Sequence, residues 1–185
     1  KANGLSFEVE TFGAATEPAI LLIMGFSAQL TMWPLELCEG LASRGYRVVR
    51  FDNRDIGKSE KLDRLGKVSP AEAFAKLMSG QAVTPPYTLD DMASDAAGLL
   101  DALGIAGAHI VGASMGGMIA QLVALNHPRK THSLTSIMST TGRPGLPSGK
   151  PEAMAVLTQT PENLERETRV AQAMKIWRII GSQPG

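Results

Sequence analysis

The sequence predicts an α/β fold with a mostly parallel sheet flanked by helices. Three observations carry this. Short apolar strands alternate with helices through residues 5–140. One strand, residues 19–24 (AILLIM), is apolar without interruption, which suits a strand covered on both faces. A second, residues 109–112, passes through the tight turn VGASMGGM directly into a helix.

The elements follow in order. Asn3-Gly4 is a hairpin signal, because both central positions of a type I′ turn need positive φ. The strand after it alternates apolar and polar over residues 5–11 (LSFEVET), while only Lys1 and Ala2 precede it. The expectation is that the sequence opens inside a strand. After residues 19–24, Gly25-Phe26-Ser27 opens a loop. Trp33-Pro34 starts a helix with proline at its first position, carrying Leu35, Leu37, Cys38, Leu41 and Ala42 and stopping at Gly45. Residues 46–51 (YRVVRF) form the next strand. Residues 52–86 are loop-rich, with a short helix expected at 70–78. Thr88 and Asp91 read as a capping box. The helix they start buries Leu89, Met92, Ala96, Leu99, Leu100 and Leu103 and ends at Gly104. The helix after Ser114 closes at His127-Pro128, and residues 133–139 (SLTSIMS) form a further strand.

Beyond Gly142 the pattern changes. RPGLPSGKP (143–151) is a Pro/Gly-rich linker, and two helices follow it. The second is capped by Thr160, has Pro161 at its first position, and places Leu164, Ala171, Met174 and Trp177 on one face. The organisation is therefore a core at residues 1–142 and a helical segment at 143–185.

Composition narrows the function. The chain has 185 residues, 44% hydrophobic, enough for one domain with a sizeable core. Its 18 basic and 18 acidic residues balance, so nothing argues for nucleic acid or an anionic membrane surface. The longest apolar run is too short to span a bilayer. Cys38 stands alone, so no internal disulfide forms, which fits a reducing, cytoplasmic compartment. There are no paired cysteines, no His-Glu-x-x-His and no phosphate-binding glycine loop, so neither metal nor cofactor is expected.

Ser114 is the candidate nucleophile. A serine hydroxyl becomes reactive when it is held exposed, offered a general base and faced with donors for the oxyanion. A strand entering a helix through one turn holds it exposed, and Gly112 and Gly116 leave room for the chains to pass. The helix N-terminus aims free N–H groups at the site. The bland alternative is that Gly112, Gly116 and Gly117 serve only close strand-to-helix packing.

The tracts IMGFS (23–27), FDNRDIGKS (51–59), YTLDDMASDAAGLLDALGI (87–105) and HIVGASMGGMIAQLVALNHP (109–128) together resemble the α/β-hydrolase superfamily. The resemblance is nearest to serine esterases of the aclacinomycin methylesterase type and to cofactor-free haloperoxidase-like esterases. It implies an oxyanion hole made by the backbone N–H groups of Phe26 and Met115. It also implies that residues 143–185 begin a helical cap shaping an ester pocket, with Trp177, Met174 and Ile180 as contributors. Two departures stand out. Asp55 occupies a place where the family has glycine, and Met24 one where many relatives have histidine. Asp52 and Arg54 are assigned to scaffold rather than to chemistry.

The same resemblance implies a triad in the order serine, acid, histidine. The sequence has three histidines, His109, His127 and His132. The first two flank the Ser114 strand and helix at the far edge of the sheet, and the third lies beyond them. The expectation is an N-terminal part of a longer protein, its acid and histidine supplied by further sequence or by a second chain. A homo-oligomer is also open. The leading function is hydrolysis of small carboxylic esters through an acyl-enzyme. Alternatives on the same scaffold are a perhydrolase or haloperoxidase-like enzyme, a lactonase, or a carbon–carbon hydrolase. Serine in place of aspartate argues against a haloalkane dehalogenase. From another class, a non-catalytic ligand-binding protein would account for the absent base.

Overall fold

The computed structural model describes residues 1–66, 72–73, 76, 79–143, 145–147, 149–159, 163 and 165–181. The helix expected at 70–78 falls mostly outside these residues, as do Thr160, Pro161 and Leu164. The chain divides into two compact units. One is Lys1–Lys67 with Pro85–Arg143, and the other is Val68–Thr84 with Pro144–Gly185.

The first unit is built on a five-stranded sheet. Its strands are β1 (Val9–Phe12), β2 (Ala19–Ile23), β3 (Arg47–Phe51), β4 (Ala108–Ala113) and β5 (Thr131–Ile137), in the spatial order β1-β3-β2-β4-β5. β1 runs antiparallel to β3, and every other pairing is parallel. All five residues of β2 are buried, because helices cover both faces of the central strands. Leu21 and Ile23 join Val49, Phe51 and Ile110 beneath α2 (Leu89–Ala102) and α3 (Met115–Asn126). Ile20 and Leu22 point the other way, to Trp33, Val48 and the Cys38 of α1 (Leu35–Ala42).

Local chemistry sets the element ends. Asn3 and Gly4 both have positive φ, 47° and 77°, and Ala2 bridges Leu5 across them, so the turn forms as read. Regular pairing begins only at Val9, not at Leu5. Residues 6–8 instead bond to the loop after β3: Ser6 N to Glu60 Oε2, and Glu8 N to Ser59 Oγ. The capping box holds, with Thr88 Oγ1 accepting from Asp91 N and Asp91 Oδ2 accepting from Thr88 N. These bonds to Thr88 hold the Asp91 carboxyl below its ordinary value.

Three further expectations are corrected. Pro34 is the N-cap of α1 rather than its first residue, and Leu35 and Leu37 lie exposed while Cys38 alone is fully buried. The last strand begins at Thr131 and ends at Ile137. It forms one edge of the described sheet, and Leu134 and Ile137 face outward. In the second unit, α4 (Pro151–Thr158) packs against α5 (Arg166–Ile180), whose N-cap is Glu165. Met174, Trp177 and Ile180 are exposed on α5. No helix among the described residues is long and apolar enough to cross a membrane.

A buried ion pair ties the sheet's loops to α2. Arg54 Nε and Nη2 grip Asp95 Oδ2 and Oδ1 at 2.6 and 2.7 Å. Asp95 Oδ1 also accepts from Asn3 Nδ2 at 2.9 Å, and the guanidinium lies over the Tyr87 ring. Burial, reinforced by a hydrogen bond to Asp55, pushes the Tyr87 phenol up to about 12, so it stays a proton donor.

Two outcomes follow. D95A leaves the Arg54 charge buried and unpaired and costs about 3–5 kcal/mol, whereas K58A, which breaks the exposed pair of Lys58 Nζ with Glu8 Oε1 at 3.4 Å, costs less than about 1 kcal/mol; denaturant midpoints compare them. The Asp91 carboxyl stabilises the fold fully above its ordinary value of 3.8. That contribution is lost as pH falls through its lower folded value. The stability gap between wild type and D91N is therefore flat at neutral pH and closes in acid.

Candidate active site

Ser114 stands between the end of β4 and the first residue of α3. Its backbone is at φ 57°, ψ −125°, a conformation that residues with a Cβ rarely adopt and that costs of order 1–3 kcal/mol. The surroundings impose it. Ser114 N donates to Ile137 O of β5 at 2.9 Å. Ser114 O accepts from Gly117 N at 2.9 Å and from Ser139 Oγ at 2.7 Å. Gln121 Nε2 donates to Gly117 O and Thr140 O and so fixes the segment bearing Ser139.

The glycines explain themselves by what a side chain would strike. A Cβ on Gly112 would lie 2.1 Å from Gly116 O, and one on Gly116 would lie 2.1 Å from Ile23 O. A Cβ on Gly117 would meet the Ser139 side chain at 2.5 Å. Strand β4, helix α3 and the end of β2 thus cross with bare backbone between them.

The loop after β2 reaches the serine. An ideal Cβ on Gly25 would sit 3.0 Å from Ser114 Cβ and 3.3 Å from Ser114 Oγ. Phe26 follows Gly25 and is 59% exposed. Ser27 has φ 58°, and Ala28 N returns to Gly25 O, closing a turn around Phe26. Met115 is the first residue of α3, where the helix has no acceptor of its own for the N–H. The structure therefore brings Gly25, Gly112, Ser114, Met115 and Gly116 together, with Phe26 on the adjoining turn.

The histidines stand elsewhere. His109 is the second residue of β4, five residues and roughly 16 Å of strand from Ser114. Its Nδ1 meets Ser133 Oγ at 2.8 Å, and its ring packs against Tyr46 and His132. His127 caps the far end of α3.

The loop after β3 is scaffold. Asp52 accepts Leu30 N and Lys58 N through its two oxygens, and a Cβ on Gly57 would strike Asp52 Oδ2 at 1.8 Å. Asp55 has φ 65°, a region aspartate tolerates better than most residues, and its Oδ1 accepts Leu62 N at 2.5 Å. That is how aspartate stands where the family has glycine. Sequence reasoning passed over Asn53, whose Nδ2 donates to Met24 O at 2.8 Å, and Ser139, which holds Ser114 O. Asn53 lay within the quoted FDNRD tract and was a legible candidate, whereas Ser139 is found only through the fold.

The sheet order, the strained serine at the strand-to-helix turn and the facing glycine loop define one class of protein: the chain belongs to the α/β hydrolase fold family, whose model matches residues 18–171. Among curated relatives it is 30% identical over 194 residues to rhodomycin D methylesterase DauP of Streptomyces sp. (strain C5), a match covering 94% of this chain and 58% of that protein. Rhodomycin D methylesterase DnrP of Streptomyces peucetius is 29% identical over the same shares of the two chains. The chain thus spans 58% of the length of these relatives. Among solved structures, a membrane phospholipase A described as a bacterial virulence factor superposes with a TM-score of 0.70 and 26% identity, covering 100% of this chain and 52% of that one.

G116A drives a methyl group into the Ile23 carbonyl and lowers stability by about 1–3 kcal/mol or more. G66A, at a glycine with open space around it, pays only for its positive φ of 86°. Thermal unfolding of the two variants separates the steric cost from the conformational one.

Proposed function

We propose that the protein is a serine hydrolase that cleaves carboxylic esters through an acyl-enzyme on Ser114. The observation that carries this is the strained, backbone-locked Ser114, with Gly25 packed so close that an added Cβ would sit 3.3 Å from its Oγ. A fold that maintains such a conformation must offset its cost elsewhere, and such strain gathers at sites of function.

Ser114 Oγ attacks the ester carbonyl and gives up its proton to a general base. The carbonyl oxygen becomes an oxyanion, which accepts hydrogen bonds from the N–H groups of Phe26 and Met115. The intermediate collapses, the alcohol leaves with the proton, and the acyl group stays on Ser114. Water then attacks the acyl-enzyme, releasing the acid and restoring the hydroxyl. His109, His127 and His132 all stand away from Ser114, so none of these three is its general base in the positions they hold. The relatives named as methylesterases and as a phospholipase A support ester cleavage.

A second reading rests on one observation. All three histidines are remote from Ser114, which also suits a non-catalytic ligand-binding protein. Ester hydrolysis by the full-length protein decides between them. The expected result is turnover of a short p-nitrophenyl ester that S114A, folded by circular dichroism, loses by at least about a thousandfold in kcat. Turnover unchanged in S114A removes Ser114 from the mechanism, and no turnover by wild type favours the binding protein.

A further inference from the structure

The loop that carries Phe26 is held at both ends by side chains of the loop after β3. At its start, Asn53 Nδ2 donates to Met24 O at 2.8 Å. At its end, Leu30 N donates to Asp52 Oδ1 at 2.7 Å. Both side chains are enclosed, Asn53 at 2% exposure and Asp52 at 3%. Asp52 is itself locked, because its other carboxylate oxygen accepts Lys58 N and its carbonyl accepts Ser59 Oγ.

This clamp answers a problem set by Gly25. A side chain at residue 25 would be crowded, since a Cβ would lie 3.0 Å from Ser114 Cβ and 3.1 Å from Ala113 O. Glycine is also the residue with the widest torsional freedom. The orientation of the next N–H, that of Phe26, must therefore be fixed from outside residue 25. A peptide unit is planar, so holding the Met24 carbonyl fixes the whole Met24–Gly25 plane. Only the two torsions of Gly25 then separate that plane from the Phe26 N–H. The turn closed by Ala28 N on Gly25 O restrains those. The same Met24 carbonyl lies 2.8 Å from where a Gly116 Cβ would be, so the loop meets α3 across bare backbone.

We propose that Asn53 is a positioning residue for the oxyanion donor: its amide sets the Met24–Gly25 peptide and, through it, the Phe26 N–H, while Asp52 closes the far end of the same loop. The inference rests on reading Ser114 as nucleophile and Phe26 as donor. The side-chain chemistry is directional. Met24 O needs a donor, which an amide supplies and a carboxylate does not. Leu30 N and Lys58 N need acceptors, which the carboxylate supplies. The order Asp-Asn at 52–53 is thus matched group by group to the loop it holds.

Steady-state ester hydrolysis by the full-length protein, its N53A variant and its N53D variant tests this, with thermal unfolding to establish the range where each is folded. Removing one oxyanion donor costs roughly 10²–10³ in kcat, so misplacing one in N53A costs about 10–100-fold, with KM within about twofold of wild type. N53D presents an acceptor to a carbonyl at neutral pH. It regains kcat relative to wild type as pH falls, because a protonated carboxyl can donate. Wild-type kcat in N53A, or a loss confined to KM, overturns the inference and leaves the hydrolase reading standing. A wild type without esterase activity overturns that reading and the inference with it. If N53A does not fold, N53D decides: a recovering kcat ratio supports the inference, and a ratio flat with pH overturns it.

Discussion

Three stretches of backbone meet here with no side chain between them, and the rest of the site depends on that contact. The end of β2 lies against Gly116, Gly116 lies against Gly112, and Gly25 lies against Ser114. The first two separations are shorter than a Cβ would allow, and the third would crowd one at 3.0 Å. The constraint is steric and therefore stiff, since close-packed interiors resist sub-ångström change. It brings the loop after β2, the turn after β4 and the start of α3 to one point at the carboxyl ends of the parallel strands. That is where sites gather in open α/β sheets.

The contact has an energetic cost, met by hydrogen bonds and burial around it. Ser114 holds an unfavourable backbone conformation. It is kept there by Ile137 O on one side and by Gly117 N and Ser139 Oγ on the other. Behind these lie two buried apolar layers, one beneath α2 and α3 and one beneath α1. The loop after β3 joins both regions. Asp52 and Asn53 hold the loop after β2, and Arg54 reaches the other way to Asp95 of α2. Consecutive side chains of one short tract thus connect the candidate site to the helix layer.

Much of this was legible before any coordinates. The uninterrupted AILLIM run gave β2, since only a strand covered on both faces can be apolar throughout. Thr88 and Asp91 gave the start of α2, because a capping box is a local hydrogen-bonding pattern. VGASMGG gave the turn at Ser114, where glycine spacing records a close approach. What escaped depended on tertiary partners. Residues 6–8 continue the alternation of a strand, yet Ser6 N and Glu8 N bond to side chains of the loop at 59–60, which no pattern along residues 5–11 encodes. Leu35 and Leu37 are apolar but exposed, since α1 turns only Cys38 fully inward. Ser139 meets Ser114 O across 25 residues of chain, a pairing set by the ladder between β4 and β5. Asn53 is the instructive case. It was visible in FDNRD, but its meaning lies in the carbonyl it faces, and that carbonyl is 29 residues away.

If Ser114 is the nucleophile, its backbone is held where it is in order to react. The most direct measurement is covalent labelling of the full-length protein with a fluorophosphonate, followed by peptide mapping of the adduct. Such a probe reacts with an activated serine and leaves ordinary hydroxyls alone. One adduct is expected, on Ser114, lost when the protein is unfolded before labelling. A folded protein that takes no label, or takes it on another residue, would contradict it.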